Sequence, residues 1–221
     1  MRIPLIVALV GRAGGTTNTG RQRRSQVERT AATRAALLDA TVECLIEVGY
    51  SRTTTTEVTR RAGVSQGALL HHFPVKADLL VAAVEHLCQQ RTDAYRKAMA
   101  NLDPALDRLD VSIDLLWESM SDSAFVAWTE LWVAARSDPE LRKAVVAMNQ
   151  RFVANAKGIY EELFPPDVVT AEAEFFEIGM QLTFALMDGM ALSRLHPPYS
   201  PYPAEHLLGA LKEISRIVYP R

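Results

Sequence analysis

Apolar residues recur every three or four positions along most of the chain from Arg34 onward. In the first such segment Leu38, Val42 and Leu45 share one face, as in an amphipathic helix. The same periodicity predicts further helices at about 76–100, 104–120, 123–136, 139–163, 170–194 and 204–218. No segment alternates apolar and polar residues over the length of a strand. We therefore expect an all-α fold of about nine helices.

Short polar motifs mark where several helices begin and end. The first helix is expected to end at Gly49, and Thr54 and Glu57 have the spacing of a capping box at the start of the next. Asp103 and Asp138 each precede a proline, which predicts two more helix starts.

Two short helices are predicted within residues 54–73. Gly63 suits the left-handed turn that ends the first, and Ser65 can cap the second, which Pro74 closes. A turn this tight forces the helices to cross steeply, so that the second can enter a DNA major groove about 12 Å wide. Leu69 and Phe73 would face inward. The opposite face would then present Gln66, Gly67, Leu70 and His71, with Ala68 at its side.

The segment from about residue 30 to 80 resembles the TetR family of bacterial repressors. The resemblance is carried by Gly49-Tyr50, Thr54-Thr55, Ala62-Gly63-Val64-Ser65-Gln66-Gly67-Ala68-Leu69-Leu70-His71-His72-Phe73, Lys76 and Asp78-Leu79-Leu80. It implies an N-terminal three-helix DNA-binding head at 29–76 and a larger helical domain at 77–221 that binds an effector and dimerises. The resemblance also implies DNA contacts at Thr55, Thr56, Gln66, Gly67, Ala68, Leu70, His71, His72 and Lys76.

The chemistry of these side chains fits different parts of DNA. Gln66 can pair with an adenine edge, whereas Gly67 and Ala68 allow close approach to a thymine methyl group. Thr55, Thr56 and Lys76 suit phosphates, although the threonines are equally explained as helix caps. His72 has an alternative role in packing beside Phe73.

One position departs from the family pattern. Leu70 stands where relatives usually carry a tyrosine whose hydroxyl reaches a phosphate. Because leucine has no donor, either His71 takes over that contact or Leu70 makes apolar contact in the groove.

Residues 1–28 are expected to be a flexible, partly basic extension. Its glycine-rich part superficially resembles a phosphate-binding loop, but it lacks the required lysine and a following helix. Arg23 and Arg24 belong to a basic arm that either enters a minor groove or is a solvated tail.

Charge divides unevenly along the chain. Residues 21–76 carry nine lysines and arginines against five acidic residues, whereas residues 77–221 carry thirteen against twenty-one. A basic N-terminal segment on an otherwise acidic protein favours a polyanionic partner at that end. The resemblance implies that this partner is a double-stranded DNA operator.

Large aromatic and methionine side chains are frequent after residue 101, where they indicate either core or an apolar effector pocket. The candidate pocket residues are Trp117, Met120, Phe125, Trp128, Trp132, Met148, Asn149, Phe152, Gln181, Phe184, Met187 and Asp188. Glu130 is a further candidate anchor. The resemblance implies a small apolar or amphipathic effector of unknown identity.

The segment at about 170–194 is apolar on more than one side, so one core cannot cover it. With 204–218 it is expected to form a homodimer interface, as in TetR relatives. A two-fold dimer matches a palindromic operator. The sequence thus predicts a repressor that its effector releases from DNA.

Competing classes have less support. The chain has no HExxH motif, nucleophile elbow or Cys/His ligand cluster, so we expect no enzyme, metal site or cofactor. A helical scaffold with a degenerate head is the other alternative. Cys44 and Cys88 are expected to be buried reduced thiols, which fits a cytoplasmic protein. The apolar run Ile3–Val10 is too short to cross a membrane.

Overall fold

The computed structural model describes residues 26–120, 123–163, 173–195 and 202–218. Within these ranges the secondary structure consists of helices and turns, which confirms the all-α prediction. The nine described helices are α1 (Gln26–Arg52), α2 (Thr55–Ala62), α3 (Gln66–His72), α4 (Lys76–Ala100), α5 (Arg108–Met120), α6 (Ser123–Ala135), α7 (Pro139–Leu163), α8 (Ala173–Ser193) and α9 (Ala204–Val218).

Helix α1 is longer than the pattern predicts at both ends. It begins at Gln26, before the expected head boundary at residue 29. The apolar pattern missed this start because the first turns are exposed and therefore show no apolar periodicity. Thr30 and Thr33 donate hydrogen bonds to the carbonyl oxygens four residues earlier. Gly49 has a φ of 74° and kinks the helix, and one further turn follows it to Arg52. The predicted end at Gly49 is therefore a break within α1.

One of the two predicted aspartate–proline starts is wrong. Asp138 caps α7, since its Oδ1 accepts from the backbone N–H groups of Glu140 and Leu141 at 3.1 and 3.0 Å. Asp103 instead closes a single turn, and α5 begins later at Arg108, where Asp107 Oδ1 accepts from the N–H groups of Leu109 and Asp110. The capping aspartate lies three residues after the predicted start, so the helix begins later than predicted.

Two of the hydrophobic cores share α1 and α4. The head core joins α1, α2 and α3 around Leu37, Val58 and Leu69, and it also includes Leu79 and Ala83 of α4. The central core packs α1 and α4 on α6 and α7. Its fully buried members include Leu45, Leu80, Val84, Leu131 and Leu141. The two helices therefore connect head and body through packed side chains.

A third core lies between α5, α8 and α9. It contains Ile113 and Trp117 from α5, Met187 and Met190 from α8, and Leu208 from α9. No single helix in the described ranges is long and apolar enough to cross a membrane; only α3 and α4 taken together reach that length and composition, across a bend of 77°.

Candidate DNA-binding surface and effector pocket

Helices α2 and α3 are joined by the tight turn that the sequence predicts. The hydroxyl of Thr54 accepts from the backbone N–H of Glu57 at 3.2 Å, and that of Ser65 accepts from the N–H of Ala68 at 3.2 Å. Gly63 ends α2 in the left-handed conformation, with a φ of 66°. The two short helices thus cross at a turn fixed by local caps.

The exposed side of α3 carries four of the predicted DNA-contact positions. Gln66, Gly67, Leu70 and His71 are exposed. Leu69 and Phe73 are buried in the head core, as predicted. The other two predicted contact positions on α3, Ala68 and His72, are partly buried. Leu70 is 50% exposed although it is apolar, so α3 presents an uncovered leucine next to polar groups.

The amide of Gln66 links α3 to α2. Its Nε2 donates to Thr55 Oγ1 at 3.0 Å, and its Oε1 accepts from Thr59 Oγ1 at 3.4 Å. Thr55 is partly buried at the start of α2, whereas Thr56 is exposed beside it. The structure therefore brings Thr55 and Gln66 together and orients the glutamine amide along the junction of the two helices.

The predicted capping box of α2 forms only in part. The Glu57 carboxylate accepts hydrogen bonds from Arg60 and Arg61, and these guanidinium groups lower the pKa of Glu57 to about 2. Arg61 also pairs with Glu47 of α1 at 2.6 Å. The carboxylate thus ties successive turns of α2 together, and Arg61 fastens α2 to α1.

Lys76 begins α4 and points toward the end of α1. Its Nζ lies 5.0 Å from the centre of the Tyr50 ring, as in a cation–π contact, and burial lowers the pKa of the lysine. The Tyr50 hydroxyl in turn donates to Asp138 Oδ2 at 2.9 Å. The backbone bonds to Leu141 and the Tyr50 hydroxyl lower the pKa of Asp138.

The histidine pair at the end of α3 lies beside Phe73. The ring centroids of His71 and His72 are 5.6 Å apart, and those of His72 and Phe73 are 6.3 Å apart. This geometry fits the packing role that we gave as the alternative for His72. Arg23 and Arg24 lie outside the described residues.

A cavity of about 150 Å³ lies among α4, α5, α6, α7 and α8. Its lining contains seven of the twelve predicted pocket residues, namely Met120, Phe125, Trp128, Trp132, Phe152, Phe184 and Asp188. The aromatic side chains form a continuous series. Ring centroids lie 6.4 Å apart for Trp128 and Trp132, 5.3 Å for Trp128 and Phe152, and 5.5 Å for Phe152 and Phe184.

Five predicted pocket residues do not line this cavity. Trp117 and Met187 belong to the core of α5, α8 and α9, and Met148 belongs to the central core. Asn149 is partly buried, and Gln181 is exposed on α8. All five lie on helices that line the cavity, but on other faces of those helices. Knowing which helix carries a residue was therefore not enough to predict that it lines the cavity.

The sequence reasoning missed the whole α4 wall of the cavity. Cys88, Arg91, Thr92 and Tyr95 line it from α4, and burial raises the pKa of Cys88 to about 11. The missed residues elsewhere are Leu116, Ser119, Ala124, Asn155, Ala156, Ile159 and Tyr160. Residues 88, 92 and 95 share one helix face, but their spacing does not show which neighbouring helices that face meets.

A second cavity of about 410 Å³ adjoins the first and shares five lining residues with it, Cys88, Thr92, Trp128, Phe152 and Asn155. Its walls are more strongly charged. They include Arg34, and Glu85 and Arg151, which form an ion pair between α4 and α7. Met148, one of the predicted pocket residues, lines this second cavity.

Glu130 does not serve as a pocket anchor, contrary to the sequence-based expectation. Its Oε2 accepts from the backbone N–H of Tyr50 at 2.6 Å, across the interface of α6 and α1. Trp128 and Trp132, two residues to either side on α6, line the cavity. Helix α6 therefore contacts the cavity on one face and the end of α1 on another.

Helix α8 leaves large apolar side chains exposed in spacings of four residues. Ile178 is 48% exposed, Leu182 65% and Leu186 40%. Ile214 on α9 is 56% exposed. Such a contiguous apolar stripe is typical of surfaces that another protein covers.

The head matches the family model for bacterial regulatory proteins of the tetR family over residues 37–83. The chain is 36% identical to the HTH-type transcriptional regulator CymR of Pseudomonas putida over 143 residues, which cover 65% of this chain and 68% of CymR. It is 30% identical over 163 residues to the HTH-type transcriptional regulator BetI of Escherichia coli strain UMN026, covering 72% of this chain and 80% of BetI.

Among solved structures, a TetR-family transcriptional regulator from Rhodococcus sp. superposes with a TM-score of 0.67 at 22% identity. The match covers 86% of this chain and 99% of that one. The likeness extends beyond the head to the helices around the cavity, which confirms the all-α fold expected for the whole chain. Head, body and curated relatives agree: this chain belongs to the TetR family of DNA-binding transcriptional regulators and is not an enzyme.

Proposed function

We propose that the protein is a repressor that binds a palindromic operator as a homodimer and is released by a small apolar or amphipathic effector. The observation that carries this proposal is the combination of an exposed α3 face with an aromatic cavity whose α6 wall is bonded to the end of α1. One half of the molecule is built to meet DNA. The other half encloses space for a ligand.

The α3 face supplies base contacts of two kinds. The Gln66 amide donates to Thr55 and accepts from Thr59. It can exchange these two bonds for an adenine edge, which likewise offers one hydrogen-bond acceptor and one donor. Leu70 meets a thymine methyl group by apolar contact, since it has no donor for a phosphate. Gly67 and Ala68 allow the backbone to approach.

Phosphate contacts fix the position of the head on the duplex. Thr56 is exposed at the start of α2, and His71 is exposed near the end of α3. Lys76 has a second task, because its ammonium group packs on the Tyr50 ring. We infer that Lys76 contacts a phosphate while its ammonium group stays packed on Tyr50 at the end of α1. The phosphate contact then depends on the position of α1.

The dimer is formed by α8 and α9. The exposed stripe of Ile178, Leu182 and Leu186 on α8, with Ile214 on α9, supplies the apolar surface that a second copy covers. A two-fold axis through this surface presents two α3 helices to half-sites about 34 Å apart.

Effector release follows from the position of α6. A ligand held against Trp128 and Trp132 biases the position of α6, and Glu130 carries that bias to the Tyr50 backbone and the adjacent kink at Gly49. A ligand shifts the equilibrium by the ratio of its affinities for the two conformations. The conformation favoured by effector no longer matches the half-site spacing.

The test is a selection of bound duplexes from a random 30-base-pair library, followed by titration of the selected duplex by fluorescence anisotropy. We expect palindromic sites and a strong salt dependence. Gln66→Ala should weaken the selected duplex by about tenfold, since one bidentate base contact contributes about 1–3 kcal/mol. The matched control, Gln150→Ala, changes an exposed glutamine on α7 and should leave the titration unchanged.

Two outcomes would reject the proposal. Selection of no duplex above background would favour a helical scaffold with a degenerate head. Equal losses in Gln66→Ala and Gln150→Ala would show that α3 does not read the bases.

A further inference from the structure

Two charged residues, Arg91 and Asp188, line the aromatic cavity. They differ in their hydrogen bonding within the described part of the chain. Arg91 Nη1 donates to the carbonyl oxygen of Ser119 at 2.9 Å. Ser119 lies in the last turn of α5, where a cation stabilises the exposed carbonyl groups of the helix end. Arg91 Nη1 thus links α4 to the end of α5.

Asp188 has no such role in the described part of the chain. It lines the cavity from α8, and the described residues offer its carboxylate neither a hydrogen bond nor an ion pair. Asp188 is an exposed residue of α8, and partial burial of its carboxylate at the cavity raises its pKa. The charge of Arg91 acts instead on the thiol of Cys88, whose pKa it lowers against the larger effect of burial. Among the described residues, the carboxylate therefore has no hydrogen-bonded cation.

The surroundings of Asp188 are aromatic. Phe184 stands one turn before it on α8, so both side chains lie on the same side of the helix. Phe184 is in contact with Phe152, which leads to Trp128 and Trp132. Aromatic faces attract organic cations, and a nearby carboxylate adds a direct charge partner.

We propose that this cavity binds a small organic cation, whose ammonium group lies between Asp188 and the faces of Phe184 and Phe152. The apolar part of the ligand rests on Trp128 and Trp132. A cavity of about 150 Å³ has room for a molecule of about one aromatic ring. The assignment rests on the proposed function, because it names the chemical class of the effector for the same cavity.

The test compares three one-ring probes of similar size: the cation benzylammonium, the neutral benzyl alcohol and the anionic phenylacetate. Binding to the full-length protein is measured by calorimetry and by tryptophan fluorescence, to which Trp128 and Trp132 in the cavity contribute. We expect benzylammonium to bind at least about tenfold more tightly than either comparison compound.

Variants identify the groups responsible. Asp188→Asn keeps the shape of the side chain but removes its charge, and should weaken the cation by about tenfold or more without changing benzyl alcohol. Phe184→Leu should also weaken the cation, because leucine has no aromatic face. Glu177→Gln is the matched control, since Glu177 is a carboxylate on the same helix that pairs with Lys157 outside the cavity.

Phenylacetate binding more tightly than the cation would overturn the proposal and identify Arg91 as the anchor. Unchanged cation affinity in both Asp188→Asn and Phe184→Leu would also overturn it. The proposed function fails separately. If cation binding depends on Asp188 but leaves operator affinity unchanged, the ligand class stands and regulation through this cavity is wrong. If another compound releases the operator and the cation does not bind, only the ligand class is wrong.

Discussion

Two constraints meet at the α-carbon of Gly49. Its φ of 74° lies in the left-handed region, which costs a residue with a side chain about 1–2 kcal/mol. A Cβ added there would also lie 2.9 Å from Glu130 Oε2. That oxygen accepts the hydrogen bond of the Tyr50 backbone, so moving it aside would break the contact between α6 and α1.

We therefore expect Gly49→Ala to lower the free energy of unfolding by about 2 kcal/mol. Gly158→Ala is the matched control, because a Cβ at this helical glycine of α7 meets no atom within 4 Å. It should stabilise the protein by about 0.5–1 kcal/mol. Urea unfolding followed by circular dichroism measures both changes. Equal stability of Gly49→Ala and the wild type would mean that the kink is free of strain.

At the scale of single helices, Asp138 has two functions at one position. It caps α7 through two backbone N–H groups, and its other oxygen accepts from the Tyr50 hydroxyl at the end of α1. These bonds favour the ionised form and lower its pKa from the ordinary value of 3.8. The stabilisation from this pKa shift is therefore complete above pH 3.8 and is lost as the pH falls through the lower folded-state value.

We expect Asp138→Ala to lower the melting temperature by about 2–4 °C at neutral pH, as the loss of one helix cap does in a protein of this size. Asp138→Asn should retain most of the stability, because asparagine also caps helices. The difference between the wild type and Asp138→Ala should narrow on acidification below pH 3.8, because the part of the stabilisation that depends on ionisation is lost. A constant difference across that range would show that ionisation of Asp138 does not contribute.

Local chemistry decided which helix boundaries could be predicted. Thr54, Ser65 and Asp138 cap their helices as expected, because a cap depends on residues only three positions apart. Asp103 and Asp107 are both of the residue type that caps helices. The sequence offers no local reason to prefer Asp107 as the cap. The backbone N–H just after the Gly49 kink bonds to Glu130 of a helix distant in sequence, so the local pattern around Gly49 predicted an end rather than a kink.

At the scale of the whole molecule, the proposed dimer depends on the exposed stripe on α8. We expect Leu182→Glu to convert the dimer to a monomer and to weaken operator binding by at least about tenfold, because one head then engages one half-site. Light scattering after gel filtration and anisotropy with the selected duplex measure the two effects.

Val133→Glu is the matched control, since Val133 on α6 is 64% exposed and lies outside the stripe, whereas Leu182 is 65% exposed. It should remain dimeric and bind the operator. A monomeric wild type, or dissociation in both variants, would contradict the proposed interface.

The pocket shows where sequence reasoning stops. Aromatic residues on α6 and α7 indicated a cavity, and Trp128 and Phe152 line it as predicted. Trp117 and Met187 have the same composition but face a different core. Which face of a helix meets which neighbour depends on the packing of all five surrounding helices, so the α4 wall with Arg91 and Tyr95 could not be found from periodicity alone.

The sharing of α1 and α4 between two cores also limits how this protein can be recombined. An exchange of heads between relatives at residue 76 would separate α3 from Leu79 and Ala83, which complete the head core. An exchange after residue 83 would bring Leu80 into contact with a foreign Leu131 and Leu141. The parts of the molecule that determine operator specificity and effector specificity therefore pack on a common pair of helices. A working chimera has to match the two faces of α4 separately.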